Sequence, residues 1–307
     1  GWNVLPSKAH CYDYSKPIDA ENERATLIAS FVAELKPLVL DKEWLTKFFT
    51  LFSLEPRTAI HSFNNTMAQL FKGFFQLFKT EFLEQCKSII EQLLTHSGSG
   101  KPEERSHTIL AAEWIAGFAR GSKHWKFSER KAAQEYIVQI LKPALLKCSQ
   151  SSILDWQSCL RFCTYDFDTR RCTWLTDLFV ENLNLEYGTS AQQAKALHCL
   201  YPVISEYSSR DKALIKRVTN TLLKYLSHPY QQVRDMIAMT LTLMPRYYWQ
   251  PVRDAKTRRP ILSKPGVEEQ LHSDVQDMIK VFKEQFEKLK QEFKPAATTS
   301  QPEQVQV

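Results

Sequence analysis

Between Ile109 and Ala119 the chain reads ILAAEWIAGFA, an apolar run interrupted by one charged side chain, Glu113. Leu110, Trp114 and Phe118 recur every four residues, and Ala111, Ile115 and Ala119 form a second row beside them. Residues three and four apart share a helix face, so two adjacent apolar stripes run down one helix. A helix that is apolar nearly all round must be enclosed on several sides. Ala111, Ala112, Ala116 and Gly117 are small enough to let neighbouring backbones come close. Ser106–Trp125 is therefore predicted to hold a buried inner helix, with Glu113 to Phe118 among the most buried residues. Gly121 stands where a left-handed C-terminal cap belongs, and a basic knot of Lys123, His124 and Lys126 follows it.

A chain built around such a helix is expected to be helical elsewhere. Only 8 glycines occur in 307 residues, and period-2 alternation is scarce, so no strand is predicted. Helices are expected in pairs near 42–54/60–78, 81–95/103–120, 129–148/152–164, 170–184/190–208 and 211–227/231–243, after a first helix from about Ala20 that Pro37 closes. Asp41 and Ser128 are read as N-caps, and Pro143 as a kink. A spacing of 35–45 residues per pair is the period of helical solenoids. Leu222-Leu223-Lys224-Tyr225-Leu226-Ser227-His228-Pro229, followed by Val233-Arg234 and Ala238, has the pattern of a HEAT repeat. In that pattern the Arg ties neighbouring repeats while Val and Ala pack between them. The expected class is all-α, a HEAT-like helical-repeat solenoid (an α-α superhelix) over residues 1–244. A basic and aromatic loop at 245–265, a long amphipathic helix at 266–294 and a disordered tail at 295–307 complete the expected domains.

Charge and cysteine use bound the function. The net charge of +6 suits a polyanion-binding patch as well as an ordinary solvated surface. No apolar run approaches the ~20 residues that span a bilayer. Cys11, Cys86, Cys148, Cys159, Cys163, Cys172 and Cys199 are odd in number and not tightly paired. Buried, reduced thiols are expected, and Cys159, Cys163 and Cys172 lack the spacing of a structural zinc site. The chain begins with Gly1 rather than Met and shows no charged-then-apolar leader, which reads as a piece of something longer.

No catalytic motif is found: no GxSxG, P-loop, GxGxxG or HExxH, and no two histidines four residues apart. The chain is therefore not read as an enzyme, and no metal site is expected. Glu113, a carboxylate in an apolar helix, must be paired, hydrogen-bonded or neutral. A salt bridge to a basic residue of an adjoining repeat is the expected solution, so Glu113, Trp114 and Arg234 are assigned structural roles. Two basic groups remain. Arg120, Lys123, His124 and Lys126 converge after a helix C-terminus, where cations also offset the helix dipole. Arg246, Arg253, Lys256, Arg258 and Arg259 lie among Tyr247, Tyr248 and Trp249, a mixture that can take single-stranded nucleic acid.

The run from Ala111 to Trp125, AAEWIAGFARGSKHW, closely resembles a segment of the large single-chain HEAT-repeat proteasome activators, the complex subunit four family. Leu51 to Glu55, Leu70 to Phe75, Asp155-Trp156, Leu222 to Leu226 and Val233-Arg234 resemble the same family in the same order. The resemblance covers roughly residues 1–245 and reads as a fragment of the middle-to-late solenoid. Trp114 and Phe118 depart from it, standing where smaller aliphatics are expected.

This resemblance implies a non-catalytic scaffold segment of an ATP-independent activator that caps the core proteasome. It implies promoted hydrolysis of small peptides, turnover of acetylated histones, a part in DNA repair, and residence in nucleus and cytoplasm. The family's carboxyl-terminal Tyr-Tyr-small motif is not matched by Gln304-Val305-Gln306-Val307, and its bromodomain-like segment, which reads acetylated histone, is not matched either. The family also implies basic openings that hold inositol polyphosphate, for which Arg120, Lys123, His124 and Lys126 are the candidates; no cofactor is otherwise required. The alternative function is a HEAT-repeat adaptor for nucleic acid or another polyanion, although nucleic acid is not the expected partner.

Overall fold

The computed structural model describes residues 23–54, 63–96, 102–164, 173–181, 183, 185–206, 212–243, 276, 279–284, 286–288 and 290–291. The basic and aromatic loop at 245–265 and the tail at 295–307 lie outside the described residues, as do Cys11 and Cys172. The chain divides into two compact units, Gly1–Ser208 and Ser209–Val307. Among the described residues the regular structure is helix, and no strand occurs.

The first unit holds eight helices among its described residues: α1 (Glu23–Val39), α2 (Lys42–Ser53), α3 (Asn65–Thr95), α4 (Pro102–Gly121), α5 (Phe127–Lys147), α6 (Ile153–Thr164), α7 (Thr173–Glu181) and α8 (Ser190–Glu206). They form two layers. In one, α1, α3, α5 and α7 lie side by side; in the other, α2, α4, α6 and α8 do so. Each helix thus meets its like two elements on, which is the stacking of a helical solenoid. The inner helix is α4, packed against α2, α3 and α6. Glu113, Trp114, Ile115, Ala116 and Phe118 are fully buried, as the two apolar stripes require.

Aromatic rings fill the α3–α4 seam. Phe75 of α3 receives Trp114 and Phe118 edge-on, with centroids 5.0 Å and 5.4 Å away. Such edge-to-face pairs contribute about 0.5–1.5 kcal/mol each beyond the area they bury. Trp114 and Phe118 therefore fit here because α3 offers a phenylalanine ring to both. No disulfide joins the Cys86, Cys148, Cys159, Cys163 and Cys199 thiols, and all five are buried, as expected.

The two helices expected near 60–78 and 81–95 are the two arms of α3: the first runs from Asn65, and Lys79, at the non-helical φ 48° and ψ −128°, separates it from the second. Other local expectations are corrected. Pro37 does not close α1, which continues to Val39. Asp41 caps α2 as expected, its carboxylate accepting from the Trp44 N–H at 2.7 Å. Ser128 does not cap α5: the helix begins one residue earlier, after Lys126, with no side-chain cap. At the start of α8, Thr189 and Gln192 form a reciprocal capping box that the sequence reading missed.

The second unit contains α9 (Lys212–Leu223) and α10 (Gln231–Leu241), joined through the His228-Pro229 corner; the described residues between 276 and 291 are also helical. Val233 is buried as the repeat pattern requires, but Ala238 is exposed, and Ile237 and Leu241 take its place in the core. Arg234 also differs from expectation. Its Nη1 donates to the carbonyl oxygens of His228 (2.6 Å) and Pro229 (2.9 Å), tying down the corner of its own repeat. No helix is long and apolar enough to cross a membrane among the described residues.

Candidate anion-binding site

The end of α4 is shaped by what two glycines permit. A Cβ on Gly117 would lie 2.4 Å from the Phe71 Cβ and 2.9 Å from the Lys72 backbone nitrogen. A Cβ on Gly121 would lie 2.5 Å from the Phe75 Cβ and 2.8 Å from the Lys72 carbonyl oxygen. Gly121 is not a left-handed cap, since it is right-handed helical at φ −73° and ψ −34°. Both glycines serve instead to bring the α4 backbone against α3 at Lys72.

A 3-10 turn, Ser122–His124, follows, and Trp125 pins it. The indole Nε1 donates to the Phe75 carbonyl oxygen at 3.0 Å. In a regular α-helix that oxygen would accept from the N–H four residues on, which is Lys79, the residue at the kink. A side chain entering the backbone ladder is one of the recognised causes of a kink, and Trp125 stands in that position.

This geometry gathers three cations. Lys72 on α3 is only 7% exposed. Its amine is held down to about pKa 8 from 10.5, first by burial and then by the positive charges of Arg120 and Lys123. Arg120, in the last turn of α4, lays its guanidinium over the Phe162 ring of α6 at 4.8 Å. Lys123 is half-buried in the turn, and its carbonyl accepts from Arg130 Nη1 at 3.3 Å. Two of the four sequence-predicted residues, Arg120 and Lys123, thus come together, with Lys72 as the member that sequence reasoning missed. Lys126 is exposed at the start of α5 and is not among the charges acting on Lys72. The His124 side chain lies outside the described residues.

A signal for Lys72 did exist. Lys72 and Gln76 interrupt the Phe-rich segment four residues apart, so they share a stripe beside the aromatic one, and both are buried. Chemically, Arg120 and Lys123 are two like charges acting on one buried amine, and the three cations repel one another. An anion placed among them would relieve that repulsion, with Arg120 offering a planar fork and the lysines point charges.

Glu113 and Arg105 explain how α4 is held while carrying this end. Glu113 Oε1 accepts from the backbone N–H of Asn64 at 2.7 Å, which ties α4 to the start of α3. Arg105 donates from Nε and Nη2 to Asp155 Oδ2 on α6, both at 3.1 Å. That ion pair ties α4 to α6, with the Asp155 carboxylate almost wholly buried.

Comparison with known proteins agrees with this architecture. Residues 15–201 match the family described as proteasome activator complex subunit 4-like, HEAT repeat-like. The chain is 31% identical over 202 residues to proteasome activator complex subunit 4 of Bos taurus and to that of Homo sapiens. It is 29% identical over the same length to subunit 4B of Danio rerio. Each match covers 66% of this chain and 11% of the relative, so the matched part spans about a tenth of those proteins. With its layered helix pairs and the cationic cluster both inside the matched span, the chain belongs to the HEAT-repeat-like family of proteasome activator complex subunit 4.

Proposed function

We propose that this chain is a non-catalytic wall segment of a proteasome activator, and that Lys72, Arg120 and Lys123 line an anion-binding opening in it. The observation that carries the reading is the family match over residues 15–201, which contains all three cations. The intact protein caps the core proteasome without ATP and promotes hydrolysis of peptides and turnover of acetylated histones. It works in nucleus and cytoplasm and serves DNA repair. The segment supplies wall and curvature, and the chemistry of bond cleavage belongs to the proteasome.

Inositol polyphosphate is the ligand this reading assigns to the opening. A dense array of phosphates matches three clustered cations, one of them half-deprotonated near pH 8. Calorimetric titration of the intact protein with inositol hexakisphosphate tests it. Lys123→Glu should abolish binding while far-ultraviolet circular dichroism stays unchanged. Equal affinity in parent and variant would remove these residues from any such site. Retention on DNA that falls steeply with salt would favour the polyanion adaptor instead.

A further inference from the structure

A pair of histidines meets at the start of α4, the opposite end of that helix from the cationic cluster. His96, exposed, is the C-cap of α3, and His107 stands half-buried in the second turn of α4. Their imidazole rings lie with centroids 4.8 Å apart and planes inclined at 46°. The Nδ1 atom of His107 is buried and has no hydrogen-bond partner. A buried polar atom left without a partner calls for an explanation, and a bound ion is one of the recognised ones. The charges acting on His107 are that of His96 and, with opposite sign, that of Glu103 one turn earlier. Burial first and His96 second lower the His107 pKa, which favours the neutral ring that can coordinate a metal.

We infer that His96 and His107 form a two-imidazole site for a divalent transition metal of the class of Ni2+, Cu2+ and Zn2+. With about 2.0–2.1 Å from metal to nitrogen and about 90–110° between ligands, two imidazoles on one ion hold their centroids about 4.5–5.2 Å apart. The observed 4.8 Å falls inside that range. Which nitrogen each ring presents is set by rotation about χ2, a soft torsion in histidine. No group of three His, Cys, Asp or Glu side chains suited to a metal occurs among the described residues, so water completes the coordination. Imidazole selects these metals over Mg2+ and Ca2+, which take oxygen ligands. A cation here also meets the negative end of the α3 dipole and the charge of Glu103. The two ligands come from different helices, so the ion ties the end of α3 to the start of α4. Eleven positions separate them, beyond the i, i+4 spacing by which a single helix pairs two histidines. This inference does not depend on the proteasome reading or on the cluster at Lys72.

Ni2+ titrated into the full chain by calorimetry provides the test, with Mg2+ as the comparison. The parent should bind Ni2+ and show no matching affinity for Mg2+. Loss of an outer partner of a metal ligand already costs about 10–100-fold in affinity, so loss of a ligand, in His96→Gln or His107→Gln, should cost at least about tenfold. Chelation needs both rings, so the double variant should lose little more than either single one. Ni2+ should also raise the urea midpoint of the parent and leave that of His96→Gln unmoved, because it binds the folded site alone. If His107→Gln does not fold, His96→Gln, at an exposed position, decides alone. No Ni2+ binding by the parent, equal affinity in parent and His96→Gln, equal affinity for Mg2+, or additive losses in the double variant would each overturn the inference.

Discussion

Glu113, in the middle of α4, accepts at Oε1 the backbone N–H of Asn64, the residue that caps α3, at 2.7 Å. Asn64 in turn accepts from the N–H groups of Thr66 and Met67. In an ordinary capping box the carboxylate comes from the third residue of the same helix, which here is Met67. Glu113 supplies that acceptor from another helix, and its charge sits at the positive end of the α3 dipole. One side chain thus fixes where α3 begins relative to α4.

Removing that acceptor should be severe. Glu113→Ala leaves a buried N–H unsatisfied and opens a cavity, and a loss of about 2–4 kcal/mol is expected. Glu113→Gln keeps a carbonyl oxygen in nearly the same shape and should lose less. Urea denaturation of both variants checks this. Equal losses would mean that the oxygen at this position is unimportant and only volume counts.

Gly121 distinguishes two reasons for a glycine. In a left-handed cap, asparagine would be tolerated better than alanine. At a close approach of two helices the larger residue is worse. Gly121→Ala should therefore cost about 1–3 kcal/mol by overpacking, and Gly121→Asn more than that. Thermal melts showing asparagine to be the milder change would contradict the contact with Phe75 and Lys72.

The Arg105–Asp155 pair joins α4 to α6 with the Asp155 side chain almost wholly buried. Breaking such a pair from one side strands a charge, so Arg105→Ala should cost about 3–5 kcal/mol. Arg105→Met combined with Asp155→Leu removes both charges and should recover much of the loss. A double variant no better than Arg105→Ala would show that the two residues do not act as a pair.

What the sequence disclosed and what it hid follow from one physical division. Burial leaves a periodic mark, so α4, its aromatic rows and the alternating helices were readable from residue spacing alone. Asp41 was readable because its partner lies three residues away. Lys72 left only the stripe it shares with Gln76, since a lysine in a helix looks solvated until Gly117 and Gly121 bring α4 down upon it. The contact of Glu113 with Asn64 is to a main-chain N–H, which every residue but proline carries and no side-chain pattern announces. The break at Lys79 falls between the helices expected at 60–78 and 81–95; what the sequence hid is its device, the indole of Trp125, 46 positions later, on the carbonyl four residues before it. Arg120 and Lys123 were found because they are local to the helix end, and their companion on α3 was missed because it is not.

The depressed pKa of Lys72 gives the cluster a pH signature with a definite sign. Unfolded, this lysine keeps its ordinary pKa of 10.5; folded, it titrates near 8. Between those values the unfolded chain binds more protons than the folded one, so the contribution of Lys72 to stability rises with pH across that window. Below about pH 8 the buried charge is a burden that folding must carry. Lys72→Met should therefore be more stable than the parent near pH 7, and its advantage should shrink near pH 10. Comparing the two proteins isolates Lys72, because the other titrating groups are common to both. A polyanion bound at the cluster should reverse the effect by favouring the charged amine. Binding of inositol hexakisphosphate near pH 8.5 should then take up more protons in the parent than in Lys72→Met, as read by calorimetry in buffers of different ionisation enthalpy. A stability difference independent of pH would show that Lys72 is charged normally and that the cluster is not as closely drawn as its geometry indicates.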